Sequence, residues 1–483
     1  MKNIFRCYTN FSNAVKATVW FIICSILQKG IQLLTVPMFT RLMTTDQYGQ
    51  FNLYQSWLGI ITIFGTLNLF AGVFNNGMLK YEHDRDRYTS ATQGLSSLAA
   101  LVVVMAYLIA PNVWSAVLGL PHIVIISMLV EIFFLPALQY WMMRQRFEYH
   151  YRALVMLTIF TAVVNPLLGL VAVQASSEKG VARILSVSLL NAVIGIFFYV
   201  LNFYRGRRFF HAAYWKFALA FNLPLIPHYL AQFVLGQSDR IMIEKFSGMT
   251  KLAIYGLAYS IGLIMTIVTN SINYSFIPWT YQACKMQQYD RLKKCSMLLV
   301  LLVAFVSLVP VLMAPEIICI MGPPEYSEAV YVIPPIALSG YLIFVYSLFA
   351  NIEFYFEQNR FVMLGSCAAA VLNVVLNLIF MPRFGYIAAA YTTVACYFIL
   401  AVAHYLLMRR ILKNAGISES LYHISLIIII TAVLVVMLVL CVEMYPYPLI
   451  RYGMIFMILL VCFAKKNTLL EMINRQHNKE ENV

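Results

Sequence analysis

Runs of about twenty apolar residues, one after another and nearly free of charge, constrain this chain more than anything else in it. Residues 424–442, ISLIIIITAVLVVMLVLCV, carry no charged side chain at all. Lipid offers no partner for backbone N–H and C=O groups, so only helices or closed barrels span it. The ten-residue alternation of barrel strands is missing, which leaves helices. Such runs lie near 14–36, 46–74, 89–110, 121–142, 153–174, 183–203, 217–243, 253–279, 296–315, 329–352, 361–381, 386–408, 421–442 and 448–464. The expectation is an all-α polytopic membrane protein with about 14 transmembrane helices. Only 11% of the residues are charged, well under the roughly 25% a water-facing surface requires.

The net charge of +14 suggests nucleic acid until its placement is examined. Lysines and arginines fall 25 in one alternate set of connections and 8 in the other, span-end residues such as Lys16, Arg183, Arg240 and Arg451 being counted with the adjoining connection, and only Lys29 lies deep inside a span. That asymmetry places both termini in the cytoplasm. The first apolar run is long and lacks a small-residue cleavage site, so it reads as an uncleaved span. The nine cysteines form no C-x-x-C pair and read as apolar fillers, not a disulfide frame or a metal site. Connections reach only about a dozen residues and contain no phosphate-binding glycine loop, so function lies within the membrane without an internal nucleotide motor.

The chain repeats itself. Arg152 precedes Asn165 by thirteen residues, as Arg360 precedes Asn373; Lys179-Gly180 and Gly385 each open a span; Tyr48-Gly49 recurs as Tyr255-Gly256. The near-constant offset divides the chain into six-span halves, 1–210 and 211–413, with two additional spans and a tail in 414–483. An even span number gives both halves one orientation, a parallel repeat, and paired halves about a midplane cavity are a transporter plan.

Ionisable groups inside spans cost at least ~2.5–3.5 kcal/mol each and so mark function or a paired structural role. Lys29, with Gln32 one turn on, reads either as a contact for an anionic substrate or as a snorkelling lysine. His228, Gln232 and Asp239 share one helical face, preceded by Pro224 and Pro227. Asp239 and Arg240, as neighbours, do not face each other; a solvated outer helix end is the plain alternative. Asn373 and Asn377 share a face in the eleventh span, with Thr392 and Thr393 in the twelfth. Their oxygens suit a partly dehydrated monovalent cation, or ordinary interhelical hydrogen bonding. Glu131, mid-span in the fourth helix, is the candidate proton site, whereas Glu353 and Glu357 read as interfacial.

These residues bring a family into view. PMFTRLMTTDQYGQFNLYQSW (37–57), LPLIPHYLAQFVLGQSDRIMI (223–243), YGLAYSIG (255–262), GPPEYSEAVYVIPPIALSGY (322–341), NVVLNLIFMPRFGYIAAAYTTVACY (373–397) and the following His404 resemble bacterial polysaccharide and O-antigen flippases. These form part of the multidrug/oligosaccharidyl-lipid/polysaccharide (MOP) exporter superfamily. The resemblance implies two six-helix bundles in a V about a central cavity, working by alternating access in the bacterial cytoplasmic membrane. It implies a polyprenyl-pyrophosphate-linked oligosaccharide as substrate, turned to the outer leaflet without ATP, with membrane lipid and polysaccharide assembly enzymes as partners and no nucleic acid. Substrate contacts are then expected at Lys29, Gln32, His228, Gln232 and Arg240. No cofactor is implied beyond a coupling ion, Na+ or H+. Related lipid II flippases hold sodium between the seventh, eleventh and twelfth helices, and the matching positions here are Asp239, Asn373, Asn377 and Thr393. Where those relatives can carry a second carboxylate, this chain has Asn377.

Two other transporters and an enzyme compete with this reading. A drug exporter of the same superfamily should carry more carboxylates than cations in its spans, against which Lys29 weighs. A major-facilitator sugar porter usually has a long central loop, yet only 204–216 joins the halves here. A membrane glycosyltransferase or O-antigen polymerase generally needs a sizeable outer loop, and no nucleophile–base pair stands out.

Overall fold

The computed structural model describes residues 13–417 and 419–464, and all the regular structure in them is helical. The helices, in order, are α1 (Asn13–Leu42), α2 (Thr45–Thr66), α3 (Phe74–Lys80), α4 (Arg85–Ile109), α5 (Pro111–Leu118) and α6 (His122–Phe147). They continue with α7 (Tyr151–Ala175), α8 (Lys179–Gly206), α9 (Ala212–Asn222), α10 (Ile226–Lys285), α11 (Tyr289–Leu312) and α12 (Ala314–Met321). The last are α13 (Ile333–Tyr355), α14 (Asn359–Phe384), α15 (Ala388–Asn414), α16 (Ile424–Glu443) and α17 (Pro448–Ala464). Each span read from the sequence is occupied wholly or mainly by helix. The second is shorter than its hydropathy suggests: α2 stops at Thr66, where Leu67 and Asn68 turn left-handed at φ 51° and 49°.

Local chemistry sets the boundaries. Thr44 caps α2 with a reciprocal box, its hydroxyl taking the Gln47 N–H while the Gln47 side chain takes the Thr44 N–H, which satisfies donors the helix leaves free. Pro111 starts α5 and Gly119, at φ 64°, ends it. A short 3-10 turn, Leu223–Leu225, separates α9 from α10. It sits at Pro224 and Pro227, whose rings remove a backbone donor and resist a continuous helix.

The 60-residue α10 is two helices meeting at Gly248, whose φ of 84° and ψ of 173° are non-helical. The Tyr255 hydroxyl donates to Asp239 Oδ2 at 2.9 Å across sixteen residues of chain. In a straight helix those residues would stand about 24 Å apart at ~1.5 Å per residue. The two arms therefore fold back on each other.

Helix α2 lies along both arms. A Cβ on Gly49 would fall 2.3 Å from the Met249 carbonyl oxygen, one on Gly256 2.5 Å from the Asn52 amide, and one on Gly59 2.0 Å from the Phe233 ring. Gly49 and Gly256, matched by the sequence repeat, thus meet at one crossing, because only a missing side chain lets two backbones approach so closely. Around Gly248 further bonds tie the chain across. Thr250 donates to Asp46 at 2.5 Å, Thr40 to the Met321 carbonyl at 2.5 Å, and Arg41 to the Cys319 carbonyl at 3.2 Å. At the opposite end α9 is held by α4 and its approaches: Trp215 donates to the Ala91 carbonyl at 2.7 Å and Tyr214 to Asp84 at 3.3 Å. Helix α17 is fixed by Arg451, which forks onto Glu316 of α12 at 2.7 and 2.8 Å. That bond holds the Glu316 carboxyl down at about 2.

Candidate functional site

Asp239 stands nine residues before the Gly248 break, where α10 meets α14 and α15, and it is 2% exposed. Its Oδ1 accepts from the Asn377 amide at 2.7 Å. Its Oδ2 accepts from the hydroxyls of Tyr255 at 2.9 Å and Thr393 at 2.8 Å. The Asn373 amide donates to Thr393 Oγ1 at 3.1 Å, while the Asn373 oxygen accepts from Ser238 at 3.2 Å and Asn377 at 3.3 Å. Thr392 donates to the Asn377 oxygen. The four positions matched by resemblance are thus one network. Ser238, Tyr255 and Thr392 belong to it as well.

Helical spacing explains the assembly. Asn373 and Asn377 are one turn apart on α14, and the hairpin at Gly248 swings Tyr255 onto Asp239. No lysine or arginine among the described residues pairs with Asp239. Arg240 makes no hydrogen bond to it among the described residues: it bonds Gln237 and lies 4.7 Å over the Tyr259 ring. A cavity of about 110 Å³ adjoins the network between α10, α13 and α15, bounded in part by Tyr255, Thr393, Asn270 and Ser339.

Glu131 is 1% exposed and takes the Tyr54 hydroxyl at 2.6 Å and the Asn191 amide at 2.8 Å. It sits between α2, α6 and α8, away from the Asp239 network.

The residues expected at the substrate are dispersed. Lys29 is half-buried and Gln32 exposed on α1. His228 is half-buried, and the exposed Gln232 reaches Ser366 at 3.5 Å. Among the described residues no hydrogen bond, ion pair or ring contact joins Lys29 or Gln32 to His228, Gln232 or Arg240.

Three readings require correction. Asp239 is enclosed by the second arm of α10, not solvated at a helix end. Glu353 is 0% exposed, not interfacial: His404 Nδ1 lies 2.9 Å from both its oxygens. Hydropathy placed it at a span end because it cannot see the partner on another helix. Arg183, counted from sequence in a connection, is inside α8 and buried. It donates to the Asn165 carbonyl at 3.2 Å and lies 4.1 Å over the Phe39 ring.

A family described as "Polysaccharide biosynthesis protein" matches residues 14–284. A protein of the Lsg locus of Haemophilus influenzae is 27% identical over 202 residues, 40% of this chain and 50% of that protein. The chain therefore spans about half the length of that curated relative. A MOP superfamily transporter from Pyrococcus furiosus matches with a TM-score of 0.56 at 13% identity, covering 85% of this chain and 98% of its own. An inward-facing multidrug resistance MATE family transporter of the same superfamily gives 0.61 at 12% identity, covering 84% and 100%. At these identities the likeness is one of fold, that of a multi-pass helical membrane transporter.

Proposed function

Because the chain belongs to the polysaccharide biosynthesis protein family, we propose that it is a flippase for a lipid-linked oligosaccharide. It carries a polyprenyl-pyrophosphate headgroup across the bacterial cytoplasmic membrane by alternating access, with fourteen crossings, two six-helix halves (1–210 and 211–413) and both termini cytoplasmic. The headgroup is large, hydrated and anionic while the tail stays in lipid, so a polar path with cations lowers the barrier without covalent chemistry. On that topology the bonds around Gly248 lie at the outer end of the halves and support a state facing the cytoplasm.

The observation that carries ion coupling is Asp239. A fully enclosed carboxylate, hydrogen-bonded only by neutral donors and in no ion pair among the described residues, is costly in a medium of low dielectric. Binding a cation or a proton removes that cost. Asp239, Asn373, Asn377 and Thr393 present one carboxylate, two amides and a hydroxyl. In the structure the Asn377 nitrogen faces Asp239; turning that amide, whose two ends have nearly the same shape, brings an oxygen there instead. The set then fits a weakly held sodium ion, its single carboxylate limiting affinity. Occupancy that differs between the two orientations would bias them, since a ligand shifts an equilibrium only through differential affinity.

The test is purified protein in vesicles containing a fluorescent polyprenyl-pyrophosphate disaccharide, with transfer followed by a membrane-impermeant quencher. Sodium- or pH-dependent transfer supports the reading. No transfer there, together with ion-driven ethidium export from the same vesicles, would identify a drug exporter instead.

A further inference from the structure

Where α13 ends, α14 begins and α15 ends, a cavity of about 390 Å³ opens between residues 356–361 and the last turns of α15. We propose that this cleft binds an anionic phospholipid of the surrounding membrane, its phosphate on Arg410 and its glycerol and upper chains on apolar walls. On the topology proposed above, the lipid belongs to the cytoplasmic leaflet. Seventeen residues of α15, about 25 Å, separate Thr393 from Arg410, so the cleft is distinct from the Asp239 network.

A tight turn and a helix end build the cleft. Helix α13 stops at Tyr355 and α14 starts at Asn359. Between them Glu357 takes a left-handed φ of 59°, and the Gln358 N–H returns to the Glu353 carbonyl at 2.9 Å. Phe356, Gln358 and Phe361 form this wall. On the other wall Leu407, Arg410, Ile411 and Asn414 follow Leu407 by three, four and seven residues, which is one helical face. The last carbonyls of α15 are already taken: Ala415 N–H donates to Ile411 and Ile417 N–H to Leu412, each at 2.9 Å. They are not left free to repel an anion. The volume falls within the ~300–1,000 Å³ of small-molecule sites.

Charge selects the occupant. Arg410 is exposed and makes no hydrogen bond, ion pair or ring contact among the described residues, whereas its neighbour Arg409 donates to the Tyr405 hydroxyl at 3.3 Å. Residues 356–361 and 407–415 hold four cations, Arg360, Arg409, Arg410 and Lys413, against the single carboxylate of Glu357. A phosphate in the cleft takes the forked N–H groups of the guanidinium. The amides of Gln358 and Asn414 are further donors; Gln358 Nε2 otherwise meets only the Phe356 carbonyl, at 3.3 Å. A choline headgroup would bring another positive charge to this cluster, so a lipid with net negative charge is preferred.

The apolar walls and the depth distinguish a lipid from a free anion. Phe356, Phe361, Leu407 and Ile411 offer surface that acyl chains cover and that inorganic phosphate cannot use. Three helix ends place the cleft at the boundary of the hydrocarbon, and aromatic rings gather there. Tyr355 lies 5.6 Å from Tyr281 and 5.1 Å from Phe356, centre to centre, and such rings are enriched at headgroup level. A lipid phosphate reaches Arg410 there without leaving its own leaflet.

The test is photocrosslinking of the full chain in vesicles of equal parts phosphatidylglycerol and phosphatidylcholine. Photoreactive p-benzoylphenylalanine replaces Phe361 in the cleft or, as a control, Phe197 on the lipid-facing side of α8; both are exposed, at 48% and 63%. Mass spectrometry of the adducts should show phosphatidylglycerol favoured at least about fivefold at position 361, the effect of one arginine near an anionic lipid, and no such preference at position 197. Arg410→Gln should lower that preference about fivefold, and Arg409→Gln, which removes the same charge outside the cleft, less than about twofold. Equal adducts of the two lipids at position 361, equal preference at both positions, or equal loss in the two arginine variants would each overturn the proposal. Inorganic phosphate should reduce the adduct no more than chloride of the same ionic strength; a loss specific to phosphate would give the cleft to the free anion and overturn the lipid assignment. Neither the probe nor the readout involves an oligosaccharide, so failure here is distinct from failure of the substrate reading.

Discussion

Replacing Gly49 with alanine should pry open the end of the molecule at Gly248. The added Cβ would sit 2.3 Å from the Met249 carbonyl oxygen, 1.1 Å short of the 3.4 Å at which ordinary contact begins. The obstructing atoms are backbone, in a helix that cannot rotate them aside, so α2 and α10 must separate. Overpacking of this kind costs ~1–3 kcal/mol, about 5- to 150-fold in the ratio of closed to open forms. Thr45 and Thr250 lie next to this crossing, their hydroxyls 3.5 Å apart. In membranes, a Thr45→Cys/Thr250→Cys protein should cross-link readily, and Gly49→Ala should slow that at least about fivefold. Gly256→Ala meets the Asn52 amide at 2.5 Å, the movable end of a side chain, and should slow it less. Gly236→Ala meets nothing within 4 Å and should leave it unchanged. Equal cross-linking in Gly49→Ala and Gly236→Ala would refute the claim that this crossing closes the end.

Other outcomes follow from the same geometry. Asp239→Asn keeps the shape and loses the charge, so flipping in vesicles should fall and its sodium or pH dependence disappear; normal flipping with unchanged ion dependence would leave Glu131 as the next candidate. Lys29→Ala should abolish surface glycan at normal membrane abundance, since a charge-assisted bond to phosphate is worth ~1.5–3 kcal/mol, whereas Lys29→Arg should retain part of it. The Glu316 carboxyl, held by Arg451 at about 2 against an ordinary 4.5, contributes stability that is complete above the ordinary value and lost as pH falls through the lowered one. The difference in melting temperature between wild type and Glu316→Gln should therefore be full near about pH 7 and shrink only below about pH 4.

The helices were legible because lipid imposes one rule on every span, and apolar length alone expresses it. Helix ends were less so. Residues 67–73 are as apolar as a continuing span, and the turn there depends on left-handed backbone at Leu67 and Asn68 that no composition announces. Asn373 and Asn377 could be placed on one face by spacing. Their meeting with Asp239 required a family pattern, because three helices separate them in sequence. Tyr255 appeared as a repeat landmark and as the first residue of YGLAYSIG, and its role as donor to Asp239 depends on the reversal at Gly248. Glu353 and His404 are fifty-one residues apart, and hydropathy treats each by itself. A glutamate in one span and a histidine in the next but one is the pattern that would have prompted the question.

Gly248 also decides how much membrane this chain needs. Sixty helical residues in line would make a rod of about 90 Å, three times the ~30 Å hydrocarbon thickness. At φ 84° and ψ 173° the backbone is in a region essentially closed to L-amino acids, while a Cβ in the L position would meet nothing within 4 Å. The constraint at this point is therefore handedness rather than size. A D-alanine introduced there by chemical ligation should be accommodated where L-alanine is not. One achiral residue thus sets the itinerary of the chain: it returns α10 to the side it came from and brings Tyr255 back to Asp239.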